Sequence, residues 1–311
     1  MKFDFDKDIP DLSGKVIFVT GGNVGLGKET ICQLAKHKPA HIYLAARSAA
    51  RANDAIKEIQ ERVPNAAPVT FIECDLTSFA SIKASAANFQ SQASELHILI
   101  NNAGIMACPP DVTKEGYEIQ FGTNHMGHAM LTKLLLPTLL KTAEKAPKGD
   151  VRIVSLSSLG EAFAAKDPYA GGDDAHLKSD MASLSTWVRY GNSKLANVHH
   201  SRALAQRHPQ LRCVAVHPGA VRTELTRGPL ATYAAFSLIM GPLHWLASRL
   251  AFVDVSEGAK NQVWAATSPD ARSGHFYYPV AVDDKGSAQA KDEKLCEQLW
   301  AWTEKELEAH M

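Results

Sequence analysis

The sequence predicts an α/β fold: one domain built on a doubly wound, mostly parallel sheet with helices on both faces. Three observations carry that expectation. Short apolar, β-branched runs alternate with longer amphipathic ones along the chain. A glycine-rich turn joins the first apolar run to the first helical pattern. The 311 residues, 45% apolar and 21% charged, supply ample core with no internal repeat, low-complexity tract or linker between domains.

In chain order, the strand-like runs are Val16–Thr20, His41–Ala46, Val69–Cys74, His97–Ile100, Val151–Leu156 and Arg212–His217. Each is four to six residues long and rich in Val, Ile or Leu, the pattern of strands buried on both faces. Helical patterns fill the gaps, among them Lys28–His37, Ala49–Arg62 and Ser78–Ser91. Right-handed crossovers then wind the helices onto both faces of the sheet. His275–Tyr278 reads as a further edge strand. Pro147-Lys148-Gly149-Asp150 is a turn before a strand and not a domain border. Residues 1–311 therefore form a single domain, with loop elaborations at about 159–189 and 225–254.

Composition excludes several functions. Lys plus Arg equals Asp plus Glu at 33 each, so no global field steers the chain to nucleic acid. The five cysteines (Cys32, Cys74, Cys108, Cys213, Cys296) form no CxxC pair and no zinc spacing, which suits a reducing compartment and no metal. MKFDFDKDIP has no apolar core of a secretory signal, so a cytoplasmic chain is expected. Gly228–Ser248 carries no formal charge, but Gly241-Pro242 interrupts it. That favours a greasy lid, with peripheral membrane association at most, over an integral span.

The turn after the first strand reads Thr20-Gly21-Gly22-Asn23-Val24-Gly25-Leu26-Gly27. A strand before it and a helix after it make the nucleotide-binding context: glycines let the backbone approach a pyrophosphate, and the helix N-terminus favours its charge. The spacing is Gly-x3-Gly-x-Gly. Twenty residues past Gly27 comes Arg47, with no acid until Asp54. An acid at the end of the second strand would hold the ribose 2′-hydroxyl of NAD; an Arg accommodates the 2′-phosphate of NADP. NADP(H) is favoured, NAD(H) stays open, and a merely solvated Arg is the alternative.

Downstream, Tyr190 and Lys194 stand four apart on a helix-compatible run and so share a face. An ammonium beside a phenol, together with the positive nicotinamide ring, favours the phenolate and makes an acid–base group of it. TGGNVGLG, Asn101-Asn102-Ala103-Gly104, Tyr190-x3-Lys194 and Pro218-Gly219, in that order, resemble the short-chain dehydrogenase/reductase family over roughly residues 12–280. GKVIFVTGGNVGLGKET, FGTNHMGHAML and YGNSKLANV place the resemblance nearest the branch of retinol dehydrogenases and the WW-domain oxidoreductase.

The resemblance implies a Rossmann-type domain and a division of roles. Gly21, Asn23, Gly25, Leu26 and Gly27 would cradle the dinucleotide. Asp75, followed by Leu76, would meet the adenine amino group, with a helix cap as the alternative. Asn102, Ala103 and Gly104 would pack against the ribose. Val221 and Thr223 would hold the nicotinamide carboxamide. Tyr190 would be the acid–base group and Lys194 its partner and a grip on the ribose. Ser158 would orient the substrate oxygen, with Ser157 as the competing choice. Asn124 would help hold a water that completes the proton path, with a core or capping role as the alternative. His125, His128, His199 and His200 read as packing or surface histidines.

The expected activity is NADP(H)-dependent hydride transfer to or from a small lipophilic ketone, aldehyde or alcohol. The Ser158–Tyr190 gap and the apolar segment Leu225–Asp254 would line the substrate. Two other classes stay open: a catalytically silent cofactor-binding or scaffold protein, and an epimerase or dehydratase. Many relatives dimerise through helices near Asn124 and Tyr190; the sequence leaves homodimer and monomer both open.

Overall fold

The structure, a computed structural model, describes residues 3–169, 177–221, 253–283 and 285–311. Seven strands form one sheet: β1 (Val16–Thr20), β2 (His41–Ala46), β3 (Val69–Glu73), β4 (Ile98–Asn101), β5 (Arg152–Leu156), β6 (Arg212–Val216) and β7 (Phe276–Tyr277). Their order is β3-β2-β1-β4-β5-β6-β7, every neighbouring pair parallel. The expected edge strand is present as two residues paired to β6. Strand order reverses between β1 and β4, where Val19 sits opposite Ile100. The crevice beyond the C-terminal ends of these two strands is where an open α/β sheet takes its ligand.

Side chains alternate across each strand, so the sheet carries two cores. Phe18, Tyr43, Ile72, Leu99, Ile153 and Cys213 pack on one face against helices Phe79–Gln92, Gly127–Ala143, Thr186–Arg207 and Glu293–Glu308. Ile17, Val19, Leu44, Ile100, Val154 and Val214 pack on the other against Gly25–Ala35, Ala49–Arg62 and Val255–Thr267. The N-terminal piece is structural: Asp4 caps the short helix Phe5–Asp8, and Phe3, Phe5, Ile9 and Leu12 are buried in the second core.

Two differences from the sequence expectation matter for the site. The first long helix begins at Gly25, not Lys28, so Gly25 and Gly27 form its opening turn. The chain also closes with an amphipathic helix, Glu293–Glu308, capped by Asp292, beyond the span of the family resemblance. It lies over the helices that carry Asn124 and Tyr190, through Thr303 to His125 (3.0 Å), Glu304 to Lys133 (2.7 Å) and the Cys296 thiol to the His199 carbonyl (3.2 Å). Among the described residues, no helix is long and apolar enough to cross a membrane. Gly228–Ser248 and most of the 225–254 loop lie outside the described residues, as do residues 170–176 of the other loop.

Candidate active site

The glycine turn is shaped by what lies beneath it. Gly21 adopts φ +66, which disfavours a side chain, and a Cβ there would sit 3.0 Å from Ala103 Cα. At Gly27 a Cβ would meet the Gly21 carbonyl oxygen at 2.3 Å and Asn102 Nδ2 at 2.5 Å. Asn102 welds the turn to β4: its Nδ2 donates to the Thr20 carbonyl at 2.8 Å and to that of Gly21 at 3.4 Å. Ser48, Ser78 and Ser185 each cap their helices with a side-chain oxygen, but the helix behind this turn has Val24 at its N-cap and no acid in its first turn. Among the described residues no side chain caps its leading N–H groups, beside which Asn23 and Leu26 are half-buried, and an uncapped helix start of this kind suits an anion.

Farther along the crevice, Arg47 is exposed just past β2, and no hydrogen bond or ion pair with described residues holds its guanidinium. Asp75 follows β3. One of its oxygens accepts from the Thr77 amide (3.0 Å) and hydroxyl (2.8 Å), and the other has no hydrogen bond to described residues. The helix-cap alternative for Asp75 is not what forms, because Ser78 caps that helix. Leu76 is buried, with its carbonyl oxygen 2.5 Å from where a Cβ of Gly127 would stand. Pro218–Val221 returns to the glycine turn: a Cβ on Gly258 would meet Val221 Cγ2 at 2.4 Å and Leu26 Cδ2 at 2.9 Å. Thr223 lies outside the described residues.

Beyond the end of β5, three groups converge. Lys194 Nζ lies 5.8 Å from the centre of the Tyr190 ring and donates to the Leu156 carbonyl at 3.0 Å. Ser158 accepts from the Gly160 amide at 3.0 Å and lies close enough to Tyr190 to pull its phenol down. The neighbouring Ser157 is committed elsewhere, donating to the Lys194 carbonyl at 2.7 Å. Burial pushes the Tyr190 phenol up to about 12, against the pull of Ser158, and the Lys194 ammonium down to about 8. The sequence reading has the ammonium and the positive nicotinamide ring together favour the phenolate; in the chain by itself, burial of the phenol works against that.

Asn124 sits in a π-helical turn, Gly122–Met126, that interrupts the long central helix. Its side chain accepts from the Ile105 amide and donates to the Ile105 carbonyl and the Ser193 hydroxyl, each at 2.9 Å. The side-chain amide is thus a bracket between three elements and caps nothing. Gly104 lies between it and the lysine: a Cβ there would stand 3.1 Å from Asn124 Oδ1 and 3.5 Å from Lys194 Nζ. His125, His128, His199 and His200 are buried, and all have pKa values lowered by desolvation. Among the described residues, no group of three or more His, Cys, Asp or Glu side chains is placed to hold a metal ion.

Residues 15–171 match the family model described as short chain dehydrogenase. An uncharacterized oxidoreductase of Schizosaccharomyces pombe is 39% identical, over 96% of this chain and 86% of its own length. The chain belongs to the short-chain dehydrogenase/reductase family. Retinol dehydrogenase 12 of Mus musculus, 36% identical over 93% of this chain and 85% of its own, places it in the retinol dehydrogenase-like branch. A solved structure of an uncharacterized protein from Mycobacterium paratuberculosis superposes with a TM-score of 0.73 at 27% identity, covering 99% and 98% of the two chains. As a short-chain dehydrogenase/reductase, the protein is an oxidoreductase of the class that interconverts CH–OH and C=O groups with NAD(P).

Sequence reasoning missed several residues of this dehydrogenase/reductase site. A Cβ on Gly160 would stand 3.0 Å from Tyr190 Cε1 and 3.3 Å from Ser158 Oγ, so a side chain there would crowd both groups. On Gly191 it would stand 2.5 Å from the Ala164 amide nitrogen, which lets the turn Leu159–Phe163 lie against the Tyr190 helix. Ser193 orients Asn124, and its place within YGNSK was the only signal available.

Proposed function

We propose that the protein is an NADP(H)-dependent oxidoreductase acting on a lipophilic ketone, aldehyde or alcohol, with Tyr190 as the acid–base group. The observation that carries this reading is the convergence of Ser158, Tyr190 and Lys194 beyond β5, beside the crevice headed by the glycine turn. When bound, the nicotinamide supplies the hydride for the carbonyl carbon, or accepts it in the reverse direction. Tyr190 gives its phenolic proton to the carbonyl oxygen and takes it back in alcohol oxidation. Ser158 donates a hydrogen bond to that oxygen, where negative charge develops. Ser157, held to the Lys194 carbonyl, serves to fix the Tyr190 helix against β5. Lys194 stays charged below about pH 8 and would favour the phenolate of Tyr190, whose ring centre lies 5.8 Å from its Nζ. It would also grip the ribose hydroxyls. Asn124, beside Lys194 across Gly104, holds the backbone around a water path that reprotonates the lysine.

Gly21, Asn23, Gly25, Leu26 and Gly27 would hold the pyrophosphate, Asp75 and Leu76 the adenine, Asn102, Ala103 and Gly104 the ribose, and Val221 with Thr223 the carboxamide. Arg47 would meet the 2′-phosphate. Arg47→Asp should raise the NADPH Michaelis constant at least tenfold, the scale of one lost charge-assisted contact, and lower that for NADH. Steady-state kinetics with both cofactors measures it, and an unchanged NADPH constant would make Arg47 a bystander. One solved relative of the same fold is an NADP complex, RhlG of Pseudomonas aeruginosa, with a TM-score of 0.62 at 21% identity.

Leu159 and Phe163, at the two ends of the turn that Ser158 caps, are 37% and 58% exposed, large apolar surfaces that would suit a lipophilic substrate. The loops at about 159–189 and 225–254 would complete that pocket. Stopped assays of NADPH oxidation against a panel of lipophilic carbonyls, with NADH as control, test the activity. Tight NADPH binding with no turnover of any carbonyl would replace this reading with a silent cofactor-binding protein. Helix Glu293–Glu308 covers the helices through which relatives dimerise, so the chain should be a monomer. Sedimentation equilibrium giving twice the 33.7 kDa chain mass would refute this.

A further inference from the structure

His128 lies one helical turn past Asn124 and is 4% exposed. Its Nδ1 is 2.9 Å from the Asn124 carbonyl oxygen, and its Nε2 is 2.9 Å from Thr20 Oγ1. A carbonyl oxygen only accepts, so Nδ1 carries the proton and Nε2 must accept. The Thr20 hydroxyl meets that need. Its oxygen accepts from the Asn102 amide at 2.9 Å and the Ala103 amide at 3.0 Å, which fills both lone pairs. Its one proton is then free to point at Nε2; the alternative acceptor, the Ile100 carbonyl, is more distant at 3.5 Å. Every group in the chain thus has one role. The Asn102 and Ala103 amides donate to Thr20, Thr20 donates to His128, and His128 donates to Asn124. Burial holds the imidazole down to about 4, so the neutral ring persists at physiological pH.

The two ends of this chain lie in different halves of the site. Thr20 is the last residue of β1, and its carbonyl and that of Gly21 are the ones fastened by Asn102 Nδ2. At the other end, the Asn124 turn is tied to Ile105 and Ser193 and lies beside Lys194. We infer that His128, as the neutral Nδ1–H tautomer, is a positioning residue that couples the shape of the cofactor turn to the shape of the Asn124 turn. This rests on the functional reading above for what each turn does.

The two ends can be cut separately. His128→Asn keeps an amide N–H near the Nδ1 position and abandons Thr20. His128→Gln keeps a carboxamide near the Nε2 position and abandons Asn124. His128→Leu loses both contacts. NADPH dissociation constants, read by nicotinamide fluorescence without turnover, should rise about tenfold in the Asn variant and stay within about threefold of wild type in the Gln variant, the scale of one buried hydrogen bond. Turnover should show the reverse: down about tenfold in Gln, within about threefold in Asn. The Leu variant should show both losses. Equal changes in the Asn and Gln variants, or a folded Leu variant with wild-type binding and turnover, would overturn the coupling. If the variants do not fold, long-range ¹⁵N NMR of the wild-type imidazole decides: protonated Nδ1 supports the inference, protonated Nε2 overturns it. A wild-type chain that binds no NADPH defeats the functional reading instead, and the tautomer result stands apart from it.

Discussion

Tyr190→Phe is expected to lower turnover by about 10²–10⁴-fold, the contribution of one positioned acid–base group, while NADPH binds almost as before. The substitution removes a single oxygen from a ring that is buried in the Thr186–Arg207 helix, and phenylalanine keeps the packing. What it deletes is the proposed proton donor, the group that lies beside Ser158. Ser158 would keep its Gly160 contact, so the fold of the Leu159–Phe163 turn should survive. Single-turnover measurements with saturating NADPH separate the chemical step from cofactor binding. The pH profile of the wild-type enzyme adds a second check. With the ammonium of Lys194 depressed to about 8, the charge that supports the phenolate fades as pH rises through that value. Alcohol oxidation, which needs a base, should therefore lose its expected rise with pH above about 8. Near-normal turnover of the phenylalanine variant would remove Tyr190 from the chemistry.

Much of this site was legible in the sequence because its signals are local. β1 runs into its glycine turn within a dozen residues, and Tyr190 and Lys194 share a face by helical spacing alone. Ser157 and Ser158 could not be separated that way, because both follow β5 directly. What distinguishes them is a carbonyl on another element: Lys194 takes the hydroxyl of Ser157 and leaves Ser158 to the phenol. Gly160 and Gly191 look like loop and helix glycines until the chain folds, since the atoms that crowd a Cβ come mostly from residues 27 to 31 positions away. His128 read as packing for the same reason, with a partner, Thr20, that is 108 residues upstream. The environment of the phenol is only half visible in the sequence. Residue spacing reveals a neighbouring charge, but the degree of burial that opposes it is a property of the whole fold.

The largest stability effect should come from a residue with no proposed part in the chemistry. Arg189 and Glu118 form an ion pair at 3.2 Å with side chains 2% and 0% exposed. Glu118 also accepts from the Phe121 amide at 2.6 Å, opening the helix that leads to Asn124, and Arg189 donates to the Cys108 carbonyl at 3.1 Å beside Tyr190. The pair therefore fastens the Asn124 turn to the Tyr190 helix. Arg189→Met keeps the length of the stem but leaves a buried carboxylate without its cation, which costs about 3–5 kcal/mol. The pH dependence has a definite sign. Burial already raises the Glu118 carboxyl above its ordinary value, and Arg189 pulls it down. Without the guanidinium the folded carboxyl rises further above its unfolded value, so the folded state binds a proton that the unfolded chain has lost. The deficit should be small at pH 4, where the group is protonated in both states, and widen as pH increases through the raised value. Urea melts of both chains at pH 5 and pH 8 measure this. A Glu118→Gln/Arg189→Met double variant should recover part of the loss, since no uncompensated charge remains. A deficit that is below about 1 kcal/mol and independent of pH would resemble a surface pair, and would mean that other contacts hold these two helices in register.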